Sequence, residues 1–81
     1  QKKSQPNLIK DKFTMKYKLT KREREILVQI LDEKSNQEIA EVLQISKRTV
    51  ETHRKNIQLK LKAKNSVGIV KIALQYDLGV I

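Results

Sequence analysis

The 81-residue chain carries 18 Lys and Arg against 9 Asp and Glu, giving a formal charge of +9 and a pI near 10.0. That length holds one small domain with a thin core. With no cysteine and a single histidine, neither a disulfide framework nor a Cys- or His-based metal cluster is available.

No apolar run approaches the roughly 18 residues of a membrane span, so no membrane partner is expected. The first residues do not read as a secretory leader, and a cytoplasmic location is expected. No nucleophile–base set, phosphate-cradling glycine loop or metal-ligand spacing appears, so neither catalysis nor a cofactor is expected. The excess positive charge suggests a polyanionic partner, and its placement is uneven. Residues 1–18 carry six Lys against one Asp, and residues 19–46 four basic against six acidic groups. Residues 47–64 carry seven basic groups against one acidic, and residues 65–81 one of each. The block at 47–64 falls on one predicted helix and its end, which makes it a localised patch.

Residues 1–18 read as a linker or tail, rich in Lys and Gln and interrupted by Pro6. Phe13, Met15, Tyr17 and Leu19 alternate with polar residues. That period predicts an extended lead-in packed along the domain, or a short pairing strand.

The first predicted helix starts at Thr20, where Thr20 and Glu23 have the spacing of a capping box. Ile26, Leu27, Ile30 and Leu31 form its apolar stripe, and it ends near Asp32 or Glu33. A second capping box, Ser35 with Glu38, opens the second helix, whose inward face is Ile39, Ala40 and Leu43. The small Ala40 lets two helices cross closely. Gln44 and Ile45 make a turn, and Ser46 caps a third helix from Lys47 to about Leu61. Val50, Ile57 and Leu61 share one face of that helix, with His53 at its edge, while Arg48, Glu51, Thr52 and Lys55 lie opposite. A short apolar helix, a tight turn and a longer helix with a basic face is the sequence form of a helix-turn-helix, whose second helix enters the major groove.

A fourth helix starts at Asn65 or Ser66 and runs to about Asp77, with Gly79 suited to a left-handed stop. It carries two apolar stripes, Val67–Val70–Leu74 and Ile69–Ile72–Ala73–Tyr76. One stripe suffices for the chain's own core. The second set, Ile69, Ile72, Ala73 and Tyr76, is expected to form a homodimer interface. The fold expected is all-α: a four-helix, bundle-like domain over residues 19–81 behind an extended linker over residues 1–18.

The segments LTKREREIL (19–27), SNQEIAEVLQIS (35–46) and RTVETHRKNIQLKL (48–61) together resemble the LuxR-type helix-turn-helix domain, also called the GerE, NarL or FixJ type. The resemblance implies a DNA-binding output domain of a bacterial transcription regulator, behind a receiver or another sensor domain. It also implies binding to inverted repeats as a homodimer, often through the last helix. The chain departs from the family pattern twice. Glu33 stands where a Gly is frequent, and Glu51 where a Lys or Arg commonly follows the Thr-Val pair.

The candidate DNA contacts are Lys47, Arg48, Thr49, Glu51, Thr52, His53, Arg54 and Lys55. Lys47 and Thr49 sit at the helix start, whose free amides and dipole favour phosphate. Arg48, Thr52 and Lys55 project furthest: Arg or Lys can grip guanine O6 and N7, and Thr can touch a thymine methyl. Glu51 could accept from cytosine N4, or pair with Lys55 or Arg48; the pairing is the expectation. His53 is expected to pack at the helix edge or donate to a phosphate. Lys60, Lys62 and Lys64 are expected to add field or peripheral phosphate contact. Two other functions fit the pattern less well: a promoter-reading sigma-factor region, and a basic helical module that binds proteins.

Overall fold

A computed structural model of the chain describes residues 11–77. The expectations resting on Pro6 and on a stop at Gly79 lie outside the described residues. Five helices follow in order: α1 (Asp11–Tyr17), α2 (Lys21–Leu31), α3 (Asn36–Leu43), α4 (Lys47–Leu61) and α5 (Ser66–Asp77). The described residues are all-α, as expected, with one helix more than the sequence reading.

That extra helix, α1, corrects the extended or strand reading of residues 11–17. The period-2 pattern concealed an i, i+4 pair, Phe13 and Tyr17, whose ring centroids stand 4.8 Å apart. Phe13 is fully buried and meets Tyr76 of α5 edge-on at 5.1 Å. Met15, by contrast, is 76% exposed. Helix geometry sends Phe13 and Met15 to different faces, whereas a strand would have put them on one.

The starts of the helices follow side-chain chemistry. Thr20 and Glu23 close a complete capping box on α2, and Ser35 and Glu38 another on α3. Ser46 caps α4 by accepting from the Thr49 amide at 3.0 Å. The Asn65 side-chain oxygen accepts from the Gly68 amide at the start of α5. Each satisfies an amide that the first turn would leave unpaired.

The stops have no comparable sequence signal. Lys18, Glu33, Gln44 and Lys62 follow α1 to α4, and all four take positive φ, between 55° and 61°. Each sits one residue before an amide that reaches back five positions: Leu19 to the Thr14 carbonyl, Lys34 to Gln29, Ile45 to Ala40 and Ala63 to Gln58. This is the Schellman stop, made four times without glycine. Leu19, Ile45 and Ala63, the residues after three of the stops, all pack into or against the core. Burying them offsets the roughly 1–2 kcal/mol cost of a left-handed side-chain-bearing residue.

The core gathers Ile26, Leu27 and Ile30 of α2, Ile39 and Ala40 of α3, Val50, Ile57 and Leu61 of α4, and Ile69 and Ala73 of α5, with Phe13 and Leu19. α4 packs on α2, α3 and α5, and so stands at the centre of the domain with one side left open.

Candidate nucleic-acid interface

α3 and α4 are joined by residues 44–46 alone. The turn is fixed from three directions: Gln44 in the left-handed conformation, Ile45 packed inward, and Ser46 capping the next helix. α4 is therefore held rigidly against α3, which is what a helix presented to a groove requires. Its inner face, Val50, Ile57 and Leu61, is buried as the helical wheel predicts. Lys47, Arg48, Thr49, Glu51, Thr52 and Lys55 are all exposed.

The exposed side chains are not equally free. The Thr49 and Ser46 hydroxyls lie 2.8 Å apart, so Thr49 is engaged in the cap. The Thr52 hydroxyl donates to the Arg48 carbonyl at 3.1 Å, which holds the oxygen beside the backbone. The amides of Lys47 and Arg48 open the helix without intrahelical acceptors, and the dipole adds partial positive charge there. Arg48 and Lys55 reach into solvent one turn either side of Glu51.

The expectations for Glu51, Arg54, α5 and Lys60 are corrected. Among the described residues, Glu51 pairs with neither Lys55 nor Arg48. A surface i, i+4 pair is worth only a few tenths of a kcal/mol, too little to hold two long side chains. Arg54 turns away from the open face: its guanidinium donates to the Ser66 hydroxyl at the start of α5. Burial there pulls the guanidinium pKa below its ordinary value. His53 is half-buried, and its enclosed Nδ1 makes no hydrogen bond. It therefore belongs to the edge packing.

The next correction concerns α5. Ile69 and Ala73 are fully buried in the chain's own core, and Ile72 and Tyr76 pack against it. The set expected at a dimer interface is thus the inward one. The outward stripe is Val67, 75% exposed, with half-buried Val70 and with Leu74, 44% exposed. The inward stripe packs on α4 and α2, and Tyr76 at its end meets Phe13 of α1. The open stripe borders a shallow groove of about 650 Å³ between α2, α4 and α5, lined in part by Ile30, Arg54 and Ser66.

Lys60 was expected to contribute field or a phosphate contact. Instead its ammonium lies 2.6 Å from the Glu23 carboxylate and donates to the Lys18 carbonyl at 2.9 Å. Glu23 is only 3% exposed, and the same oxygen accepts from the Thr20 amide at 2.9 Å. Burial pushes its carboxyl pKa up, but the Lys60 and Thr20 hydrogen bonds and the Lys60 charge outweigh that and hold it below the ordinary value. The sequence showed Glu23 only as a cap; its partner lies 37 residues away.

Among the described residues no cluster of His, Cys, Asp or Glu could hold a metal ion, and no helix is long and apolar enough to cross a membrane.

The family described as bacterial regulatory proteins, luxR family, matches residues 17–73. An uncharacterized response regulatory protein, YgeK of Escherichia coli K12, is 46% identical over 67 residues, covering 83% of this chain and 46% of that protein. The transcriptional regulatory protein MctR of Rhizobium johnstonii is 47% identical over 60 residues, 74% of this chain and 28% of its own length. FixJ of Rhizobium meliloti, also a transcriptional regulatory protein, is 43% identical over 61 residues, 75% and 30% respectively. The chain thus spans less than half the length of these relatives. No solved structure gives a significant match. With its helix-turn-helix and open basic helix already evident in the structure, the chain belongs to the luxR family of bacterial regulatory proteins, and these residues form a DNA-binding output domain.

Proposed function

We propose that the domain binds duplex DNA sequence-specifically by seating the open face of α4 in the major groove, as the output end of a response regulator acting in the cytoplasm. The observation that carries this reading is the division of α4 into a buried face, Val50, Ile57 and Leu61, and an open one with Arg48 and Lys55 extended into solvent. Phosphates meet Lys47 and the opening amides of α4, and base edges meet Arg48, Thr52 and Lys55. The likeness to response regulatory and transcriptional regulatory proteins supports a regulatory role and a receiver domain outside this chain.

Two copies bind an inverted repeat through α5. The support is the open stripe Val67, Val70 and Leu74, an apolar surface on a chain this charged. The interface is small, so DNA supplies much of the dimer's stability.

Selection from a random duplex pool, followed by titration of the recovered site at several salt concentrations, tests both parts. The expected result is a palindromic site and a log–log salt slope steepening by about 0.9 for each phosphate contacted. A flat slope, or no recovered duplex, overturns DNA binding; a single unrepeated half-site overturns the dimer.

A further inference from the structure

We infer that Glu51 is a specificity-determining residue that accepts a hydrogen bond from the N4 amino group of one cytosine in each half-site. The inference rests on the DNA-binding reading above and adds to it which base edge the open face can read. Lys47, Arg48 and Lys55 are donors only. The hydroxyls of Thr49 and Thr52 are held against the helix by the cap and by the Arg48 carbonyl. Glu51 is exposed, makes no ion pair or hydrogen bond among the described residues, and is the acceptor-only group among these side chains. It stands between Arg48 and Lys55, three residues after one and four before the other, at the centre of the surface that enters the groove.

In the major groove two bases offer an amino group, cytosine at N4 and adenine at N6. Adenine sets the N7 acceptor beside its amino group, which repels a carboxylate. Cytosine has no such neighbour on its own edge, so the carboxylate selects cytosine. The same charge opposes every nearby phosphate, so on duplex lacking that cytosine Glu51 weakens binding. It therefore raises the ratio of specific to non-specific affinity at both ends.

The test is pool selection and titration with the 81-residue wild type, Glu51→Ala and Glu51→Gln. Glu51 is exposed and unpaired, so both variants fold; circular dichroism checks this. Wild type is expected to recover a cytosine at a position that Glu51→Ala leaves unspecified. Replacing that cytosine should cost wild type about 5- to 150-fold in affinity and cost Glu51→Ala little. Glu51→Gln, whose amide matches adenine N6 and N7 together, is expected to move the preference to adenine. On scrambled duplex both variants should bind as tightly as wild type or more so. If Glu51→Ala recovers the same site and gains affinity equally for all duplexes, the role of Glu51 is overturned while the DNA-binding reading stands. If wild type binds no duplex, both fall together.

Discussion

Two sets of polar side chains on α4 serve opposite purposes. On its open face Lys47, Arg48 and Lys55 reach solvent unengaged, beside an unpaired Glu51. Other polar side chains of the same helix are tied down: Arg54 to Ser66, Gln58 to the Lys64 carbonyl, and Lys60 to Glu23 and the Lys18 carbonyl. Composition alone counts these cations as one basic patch. The structure separates them into a part that holds the domain together and a part left open, and net charge is a poor guide to which is which.

Variants that mix the two sets break or sharpen that contrast. The largest stability effect is expected in the tied set. Glu23→Gln or Lys60→Met removes one side of a largely buried ion pair and should lower the unfolding free energy by about 2–4 kcal/mol in urea titrations. The affinity of the folded fraction for DNA should hardly change. The wild-type pair should also show in pH dependence. Because the folded pKa of Glu23 is lowered, its contribution is complete above the unfolded value, about 4.3, and is lost as pH falls through the folded one. Glu23→Gln should flatten that acid limb.

On the open face the pattern reverses. Arg48→Ala and Lys55→Ala are each expected to weaken binding to the selected site by about 1–3 kcal/mol and to leave the unfolding free energy within about 0.5 kcal/mol of wild type. Loss of stability without loss of affinity would mean that these side chains also belong to the structural set. The smallest effect is expected outside α4. Glu33→Gly relieves the left-handed residue after α2 and should raise stability by about 0.5–1 kcal/mol, measured by thermal unfolding. A lower midpoint would show that Glu33 is not strained there.

What the sequence disclosed was local. Thr20, Ser35 and Ser46 announce helix starts because each cap is a side chain bonding within three residues. The inner face of α4 was legible because Val50, Ile57 and Leu61 share a helical period. What stayed hidden depends on distant partners. α1 is short, and its pattern fits two periods until Phe13 meets Tyr76. The covered stripe of α5 is set by its packing on α4 and α2. Lys60 looks like any surface lysine until Glu23 is brought beside it, and the helix stops carry no glycine to mark them.

The absence of glycine from every turn between helices carries one more consequence. Locked at 18–20, 32–35, 44–46 and 62–65 by side-chain-bearing residues, the domain has little freedom to change its shape around a ligand. Any mismatch in curvature must then be absorbed by the nucleic acid. Flexible pyrimidine–purine steps in the bound duplex would make that bending easier, and stiff A-tracts would resist it, even at base pairs the protein never touches.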